Sequence, residues 1–440
     1  MNRQFKDFRL FSPFVMLFHQ FGLAAFRIGN RIGKMYTQIS QMEPLFPART
    51  GELEDLAREL VATSAQLQGR LAPAVVAELR TLLRVVNSYY SNLIEGHSTH
   101  PVEIERAMRN DYSAEQDKRD LQIESRIHIE VQNKIAEELQ TDPQTNVVAA
   151  EFLCRLHGEF YDLMPERLRW ATGAGEERAW VKAGAIREQY VRVGNHVPPA
   201  PEALNGFLQR FEQAFNPSGM HGLRPLIALT AAHHRLTWIH PFLDGNGRVA
   251  RLFTDAYFQR IKLAGYGLWN VSRGLARRRT DYREFLAAAD SPRQGDLDGR
   301  GNLSDRMLTD FCRFFLEVCL DQTTYMNGLL ALNGLLDRLE RYVVLRNSGL
   351  VVDVQGKTAA ALHPRVAALL KVVATTGEIS RGEAFRVIEM SERTGRNILK
   401  TLLDEGMLLT RSDKGPVRLG FPAHVAGYWF PQLYPTEDHR

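Results

Sequence analysis

Helical periodicity is the feature that most restricts the fold of this 440-residue chain. Between Glu52 and Lys134, apolar residues recur at spacings of three and four, as in ELEDLARELVATSAQLQGRL and PAVVAELRTLLRVVNSYYSNLIEG. This spacing places apolar side chains on one face of an α-helix. Pro73 suits a first helical turn, and Gly96 suits a C-terminal stop. The pattern predicts a mainly α protein whose first large unit is entirely helical.

The length of the chain predicts more than one domain, because 440 residues exceed what one ordinary core serves. We expect an N-terminal extension over residues 1–50, a main helical domain over 51–345 and a smaller C-terminal domain over 346–440. The extension contains the apolar run LFSPFVMLFHQFGLAAF, which polar residues interrupt. It is shorter than the roughly 20 residues that a membrane-spanning helix needs. We therefore expect no membrane crossing. Because nothing in residues 1–34 connects to the patterns that follow, we expect Met35 as the start of translation.

Charge and cysteine content exclude several classes of protein. The formal net charge is only +4, so the total charge does not require a polyanionic partner, although a local basic patch is compatible with it. Cys154, Cys312 and Cys319 are too few and too scattered for a disulfide framework. We expect a cytoplasmic protein.

The stretch HPFLDGNGRVAR, residues 240–251, has the composition of an anion-binding turn. Proline disfavours helical geometry in the residue before it, so a preceding helix should end at His240. Gly245, Asn246 and Gly247 then form a turn whose backbone N–H groups can converge on an anion. A helix that begins near Asn246 would direct its positive N-terminus to the same point. Arg248 in the first turn can add a bidentate contact, so the stretch predicts a phosphate site.

Two further residues of this stretch give the predicted phosphate site a chemistry. Asp244 suits a Mg²⁺ ligand, because magnesium in such sites takes one or two carboxylates together with phosphate oxygens and water. His240 can act as a general base for a hydroxyl nucleophile. A histidine before proline is usually structural, and Gly-Asn-Gly is usually only a turn. The conjunction of all these residues instead indicates phosphoryl or nucleotidyl transfer.

The same stretch resembles the active-site motif of Fic-domain proteins, His-x-Phe-x-Asp/Glu-Gly-Asn-Gly-Arg-x-x-Arg, and matches every fixed position. The resemblance covers roughly residues 80–325 and implies an α-helical Fic catalytic domain within 51–345. Most members transfer AMP from ATP to a hydroxyl side chain of a target protein. By this resemblance His240 is the general base and Asp244 the Mg²⁺ ligand. Gly245, Asn246, Gly247 and Arg248 hold phosphates. Arg251 binds the γ-phosphate, and Phe242 anchors the loop.

The stretch GAIREQYVRVGNHVPP, within residues 183–199, alternates and contains Gly194-Asn195, which predicts a short β-hairpin. It is similar to the family's flap, which aligns a target segment by β-strand addition. The resemblance therefore implies that a target protein docks along this flap segment. Because main-chain bonds do not read sequence, the identity of the target is hidden.

The stretch NVSRGLARRRTDYREFL is similar to a family segment that helps to form the adenine pocket. Tyr282 matches that pattern, and the resemblance places it in the pocket. Arg278 and Arg283 stand where the family usually has asparagine and a second tyrosine. This departure leaves nucleotide preference open, with Tyr282 as a core aromatic as the alternative.

The stretch SNLIEG, residues 91–96, resembles the inhibitory motif Ser/Thr-x-x-x-Glu-Gly/Asn of self-inhibited Fic proteins. Its fixed positions are Ser91, Glu95 and Gly96. A helix that ends in Glu-Gly is common in itself, and on that interpretation Glu95 is an exposed carboxylate. The resemblance instead implies that Glu95 pairs with Arg251, which then cannot hold the γ-phosphate.

The C-terminal part predicts a winged helix-turn-helix domain. Three helical stretches, PRVAALLKVVAT, SRGEAFRVI and ERTGRNILKTLLDEG, precede a two-stranded wing in MLLTRSDKGPVRLGF. Basic and polar residues of the third helix and the wing are candidates for DNA contacts: Arg393, Arg396, Asn397, Lys400, Arg411, Lys414 and Arg418. Such domains also serve for dimerisation or protein docking, and both interpretations stay open.

These predictions combine into a self-inhibited protein adenylyltransferase that uses ATP and Mg²⁺, modifies a target protein and itself, and forms a homodimer. Two other hypotheses remain. The chain is a DNA-binding regulator whose Fic core senses a nucleotide, or it is a family enzyme that removes AMP or transfers another phosphate-containing group.

Overall fold

The computed structural model describes residues 26–28, 31–33, 36–172, 178–352 and 357–435 of the chain. Most of the predicted N-terminal extension, including almost all of its apolar run, lies outside the described residues. In the described part the fold is mainly α, as predicted, with short strands at three places. No helix in that part is long and apolar enough to span a bilayer.

The helices and strands of the first 220 residues begin with a short β-ribbon and continue as helices. In chain order they are β1 (Phe26–Ile28), β2 (Arg31–Gly33), α1 (Gly51–Ala65), α2 (Pro73–Glu95), α3 (Pro101–Met108), α4 (Gln116–Thr141), α5 (Ala150–Asp162), β3 (Trp170–Thr172), β4 (Arg178–Trp180) and α6 (Leu204–Phe215).

The remaining elements are again helices, followed by a small sheet near the C-terminus. They are α7 (Arg224–Ile239), α8 (Asn246–Arg260), α9 (Val271–Arg277), α10 (Arg279–Ala289), α11 (Asp305–Leu329), α12 (Leu332–Asn347), α13 (Val366–Thr376), β5 (Glu378–Ile379), α14 (Arg381–Ile388), α15 (Glu392–Asp404), β6 (Leu408–Thr410), β7 (Val417–Leu419) and α16 (Ala423–Trp429).

Helix α2 begins and ends where the sequence predicts. Pro73 is its first residue, a position where the missing N–H has no intrahelical partner to lose. Gly96 follows the last residue with a φ of 97°, a left-handed conformation that glycine adopts without a Cβ penalty. Residues on several faces of the C-terminal half of α2 are buried, because α4, α8 and α9 pack around it. The helix end at Glu95 is therefore held inside the protein.

The centre of the core is α7, whose residues are nearly all buried. It packs against α6, α8 and α11, and these helices enclose it. A helix that is buried all round has no room to shift. The loop that follows α7 and leads into α8 thus has fixed ends, which is the condition for a preorganised site.

The predicted hairpin in residues 183–199 is wrong as a pair of strands. That segment is mostly irregular. Val193 forms an antiparallel bridge with His196 around the Gly194-Asn195 turn, and Tyr190 also lies in an isolated bridge. The described hairpin precedes it: β3 pairs antiparallel with β4, with Trp170 opposite Trp180. These two indole rings lie 5.1 Å apart edge to face, a cross-strand aromatic pair that stabilises a short ribbon.

The C-terminal elements lie where the sequence predicts helices and a strand pair. Ser380 and Glu383 form a reciprocal capping box at the start of α14. Strands β6 and β7 pair antiparallel, and β5, which the sequence analysis did not predict, joins them on the other side of β7. Arg418 of β7 forms an ion pair with Glu78 of α2 at 2.6 Å. The small sheet thus contacts the same helix that ends at Glu95.

Candidate active site

The loop between α7 and α8 has the backbone that the sequence predicts. Helix α7 ends at Ile239, and His240 follows with φ 51° and ψ 60°, a left-handed conformation that is costly for a residue with a side chain. Gly245, with φ 77°, precedes the first residue of α8, Asn246. The turn therefore presents the free N–H groups of a helix N-terminus beside His240, which is the arrangement that binds anions.

Two side chains of the loop hold it in this shape rather than contact a ligand. The Asn246 amide accepts a hydrogen bond from the Phe242 N–H at 2.9 Å and donates one to the Phe242 carbonyl at 2.7 Å. The buried Phe242 ring stacks on the His157 ring with centroids 4.2 Å apart. Phe242 is thus the loop anchor that the resemblance implies. The part of Asn246 that remains for a phosphate is its main chain.

Both glycines that flank Asn246 are required by close neighbours. A Cβ on Gly245 would lie 2.8 Å from a ring carbon of Tyr161. A Cβ on Gly247 would lie 2.3 Å from the Glu95 Oε1 atom. Such distances are far below carbon–carbon and carbon–oxygen contact. The second distance also shows that the Glu95 carboxylate lies directly at the N-terminus of α8.

A buried network of charges surrounds Arg248. Its guanidinium forms ion pairs with Glu124 of α4 and, at 3.2 Å, with Asp244. The Tyr161 hydroxyl donates to Asp244 Oδ2 at 2.6 Å. Burial would raise the pKa of both carboxyls, but the positive Arg248 beside them holds the pKa of Glu124 and of Asp244 below the usual values. Both acids are therefore ionised at neutral pH, and Arg248 is positioned by them at the edge of the turn.

Asp244 is the member of this network that a cation can reach. Its side chain is 39% exposed, whereas those of Glu124 and Arg248 are nearly inaccessible. In the described residues no group of three or more potential metal ligands occurs. A lone carboxylate beside a phosphate site still fits Mg²⁺, which usually takes one or two carboxylates and completes its shell with phosphate and water.

His240 is a neutral imidazole at physiological pH. Burial, helped by the positive Arg187, lowers the pKa of His240 to about 3. Arg187 also ties the backbone around it: Nε donates to the His240 carbonyl at 2.8 Å, and the Arg187 N–H donates to the Pro241 carbonyl at 2.9 Å. The other guanidinium nitrogens donate to the carbonyls of Gln189 and Pro199. Arg187 thus joins the middle and the C-terminal end of the 183–199 segment to the backbone of His240 and Pro241.

The predicted contact between Glu95 and Arg251 is present. Arg251 Nη2 lies 2.6 Å from Glu95 Oε1, with side chains 2% and 21% exposed. The same guanidinium donates to the Ser91 hydroxyl at 2.8 Å and to the Ser91 carbonyl at 3.0 Å. Arg283 donates to the Ile94 carbonyl at 3.2 Å, which satisfies a free carbonyl at the end of α2. We call the set Ser91, Glu95 and Arg251 the latch.

Tyr282 lies in the protein interior. It is almost completely inaccessible, its hydroxyl is 2.7 Å from Nε2 of His233, and burial raises its pKa to about 12. His233 in turn contacts the Thr254 hydroxyl at 2.7 Å. The structure thus places Tyr282 in the position of a core aromatic, which was the alternative to an adenine-pocket residue.

Sequence reasoning missed three residues of the site: Glu124, Tyr161 and Arg187. Only Glu124 carried a signal, since a carboxylate at that position falls in phase with the apolar residues Ile127 and Val131 on one face of α4. For Tyr161 and Arg187 nothing in the local sequence indicates contact with a loop more than 50 residues away.

Part of this chain is similar to known proteins. Residues 147–258, which include the whole loop and most of α8, match the Fic/DOC family. This part of the chain is similar to a Fic/DOC domain. It is similar to the protein adenylyltransferase Fic of Drosophila grimshawi, with 37% identity over 117 residues, 27% of this chain and 22% of that protein. Its similarity to the same enzyme of Drosophila virilis is 31% over 187 residues, 42% of this chain and 33% of that protein. The chain thus spans a third or less of these relatives.

Two solved structures of the Fic family also align with this chain. A Fic family protein from Desulfovibrio desulfuricans aligns over 83% of this chain and 95% of its own, with 18% identity and a TM-score of 0.44. Fic-1 from C. elegans aligns over 63% of this chain and 72% of its own, with 16% identity and a TM-score of 0.47.

Proposed function

We propose that this protein is an adenylyltransferase that transfers AMP from ATP to a hydroxyl side chain of a protein. The observation that carries the proposal is the convergence of a neutral His240, the free N–H groups at the start of α8 and the ionised Asp244 on one loop. The match of residues 147–258 to the Fic/DOC family and the named activity of the similar Drosophila proteins support it.

The residues can share the reaction as follows. Nε2 or Nδ1 of His240 takes the proton of the attacking hydroxyl, whose oxygen forms a bond to the α-phosphorus of ATP. The bond from that phosphorus to the bridging oxygen breaks, and pyrophosphate leaves. The N–H groups of Gly247 and its neighbours and the Arg248 guanidinium stabilise the charge that accumulates on phosphate oxygens. A base that is neutral at pH 7 is ready to accept a proton without prior deprotonation.

Asp244 would hold Mg²⁺, which supplies charge neutralisation on the phosphates when bound. The ionised carboxylate, its exposure and its position beside the phosphate site support this assignment. The hydrogen bond from Tyr161 and the ion pair with Arg248 orient the carboxylate before any ion arrives.

We further propose that the latch inhibits the enzyme. The Glu95 Oε1 atom lies 2.3 Å from where a Cβ of Gly247 would be, at the positive end of α8, and it also pairs with the Arg251 guanidinium. A phosphate group of ATP would bind the same N-terminus of α8 and the same guanidinium. With the latch closed, a bound ATP cannot place its γ-phosphate on Arg251, so its α-phosphate is not presented to the attacking hydroxyl.

The test is label transfer with ATP and Mg²⁺, using the purified chain as its own target. We expect the protein to take up label from the α-phosphate of ATP and none from the γ-phosphate. We also expect mass spectrometry to find one AMP unit on a Ser, Thr or Tyr side chain. Transfer of label from the γ-phosphate would instead show phosphorylation. The proposal would be contradicted if the Glu95→Gly variant transferred neither label with a panel of nucleotides and candidate proteins. Release of AMP from a pre-modified protein would favour the reverse reaction.

DNA binding by the C-terminal domain is the second candidate function. Arg393, Arg396, Asn397 and Lys400 lie exposed on α15, which favours it. However, Arg396 and Lys400 form surface ion pairs within the helix, and Arg418 is occupied by Glu78. Salt-dependent retardation of duplex DNA by the full chain, lost on substitution of Arg393 and Asn397, is the result expected of a DNA-binding domain.

A further inference from the structure

A chain of buried polar side chains lies next to Arg251, where α7, α8 and α10 meet. Its members are His233 of α7, Thr254 of α8 and Tyr282 of α10, and each is at most 3% exposed. His233 Nε2 lies 2.7 Å from the Tyr282 hydroxyl, and Nδ1 lies 2.7 Å from the Thr254 hydroxyl. Polar groups are costly to bury, and the proposed reaction uses none of these three.

The hydrogen bonds of this chain run in one direction. The Thr254 hydroxyl donates to the Ala250 carbonyl at 2.8 Å, so it accepts from Nδ1 of His233. Burial, helped by the charge of Arg251, lowers the pKa of His233 to about 3, so the ring is neutral and carries a single proton. Because that proton is on Nδ1, Nε2 is the acceptor and the Tyr282 hydroxyl donates to it. The phenol oxygen then has only lone pairs to offer to another neighbour.

Arg251 is the neighbour that can use these lone pairs, because a guanidinium donates and never accepts. Burial raises the pKa of Tyr282 to about 12, and the charge of Arg251, together with a hydrogen bond from it, opposes that rise. The chain also ends at Arg251 on its other side, since Ala250, which accepts from Thr254, is the residue before it. The guanidinium and the backbone of one residue are thus tied to the same chain.

This support does not depend on the latch glutamate. Glu95 contacts Arg251 from α2, whereas His233 lies on α7 and Tyr282 on α10. The His233 ring is fixed in turn by Phe315 of α11, with ring centroids 4.9 Å apart. Loss of the Glu95 carboxylate therefore leaves the chain beside Arg251 intact.

We propose that Tyr282, ordered by His233, is a positioning residue that holds the Arg251 guanidinium in the orientation in which it binds the γ-phosphate of ATP. This inference rests on the proposed function, in which Arg251 is the γ-phosphate ligand. A long arginine side chain loses rotamer entropy when it is fixed, so a support that is already in place lowers the cost of binding the phosphate. Tyr282 thus acts on ATP through Arg251 and contacts no part of the nucleotide.

The test is calorimetric titration of the full chain with ATP and with ADP, which lacks the γ-phosphate. The background is Glu95→Gly with His240→Ala, in which the guanidinium is free and transfer is suppressed. Tyr282→Phe added to it should weaken ATP binding by about tenfold, as expected for loss of one hydrogen bond to a charged group, and should leave ADP affinity unchanged. Unchanged ADP affinity also shows that the variant is folded.

Three results of this titration would overturn the proposal. Equal losses for ATP and ADP would show that Tyr282 acts on the adenosine part or on the fold as a whole. Affinities equal to those of the background would show that it does not act on Arg251. A background protein that binds ATP no more tightly than ADP would show that Arg251 binds no γ-phosphate.

The matched control is Tyr257→Phe, which removes another buried tyrosine hydroxyl, one that donates to the Phe215 carbonyl at 2.9 Å. Each of the two substitutions leaves one buried acceptor without its donor. Tyr257→Phe should change neither affinity. A selective loss of ATP binding in this control as well would overturn the proposal, because any buried hydroxyl would then have the same effect.

A second arm tests whether Tyr282 acts through Arg251. In the same background Arg251→Ala should remove the preference for ATP over ADP, and Tyr282→Phe added to it should cause no further loss of ATP affinity. A further loss of equal size would overturn the proposal. Label transfer by Glu95→Gly judges the proposed function separately: the full set of affinity differences without any AMP transfer would contradict that function and support the positioning role.

Discussion

Removal of the Glu95 carboxylate is the perturbation that most directly tests the latch. In Glu95→Gly the contact to Arg251 Nη2 at 2.6 Å is lost, and the space beside Gly247 opens. The Ser91 hydroxyl and carbonyl still accept from Arg251, so the guanidinium stays in place. The variant should thus free the phosphate ligand without displacing it.

The size of the effect follows from the exposure of the pair. Arg251 is almost inaccessible and Glu95 is 21% exposed, so solvent screens the contact only in part. A hydrogen bond between charged groups in such a position contributes about 1.5 to 3 kcal/mol. This corresponds to a bias of about ten- to hundred-fold toward the closed latch. We expect AMP transfer by Glu95→Gly to rise by about that factor.

The assay is the initial rate of α-label incorporation from ATP. Glu95→Gln, which keeps a neutral hydrogen bond, should fall between wild type and Glu95→Gly. The exposed Glu59→Gly on α1 is the control for glycine in a helix and should leave the rate unchanged. Arg251→Ala should not activate, because it opens the latch and removes the phosphate ligand together. A Glu95→Gly rate equal to wild type would refute the latch, and Glu95 would then be a structural residue.

Three further results are expected. His240→Ala should lower transfer by about 10²- to 10⁴-fold with ATP affinity nearly unchanged, measured by label incorporation and nucleotide titration, and near-normal turnover would remove its role as base. Asp244→Ala should weaken Mg²⁺-dependent transfer with only partial rescue by excess Mg²⁺, whereas full activity of chelator-treated wild type would contradict the metal role. Thermal stability should fall as the pH drops below about 6.5. Burial lowers the pKa of several histidines in the folded protein, so below that pH the unfolded chain binds protons that the folded protein does not. The free energy of unfolding should decrease by up to about 1.4 kcal/mol per pH unit for each such histidine. These histidines are His128, His157, His233, His234, His240 and His424. His97 opposes this trend, because its hydrogen bond with Glu124 raises its pKa. A melting temperature that does not change between about pH 6.5 and 5 would contradict the burial of these histidines as neutral groups.

The parts of the fold that the sequence predicted are those set by local chemistry. Pro73 and Gly96 mark the ends of α2, and Gly245 sets the start of α8, because each acts through its own backbone conformation. The predicted strands are absent because pairing around the Gly194-Asn195 turn stops after the one bridge between Val193 and His196. The sequence between Trp170 and Trp180 does contain two turn-forming residues, Gly173 and Gly175.

The candidate site was predicted only as far as one continuous motif and a resemblance reach. The resemblance implied the pairing of Glu95 with Arg251, which lie 156 positions apart. Glu124 pairs with Arg248 across 124 positions, and no spacing rule connects them. Such contacts arise from the packing of α4 against α8, which depends on the whole core. Residues that orient the loop from other helices are therefore the part of a site that sequence patterns miss.

The four carbonyls held by Arg187 affect how kinetic data on this protein should be interpreted. The side chain binds the carbonyls of His240, Gln189 and Pro199, and the Arg187 N–H binds that of Pro241. The segment proposed to dock a target and the proposed base therefore share one support. We expect a substitution of Arg187 to change target affinity and the position of the His240 imidazole together. KM and kcat should then change together, and a mutational map of this segment measures recognition and catalysis jointly.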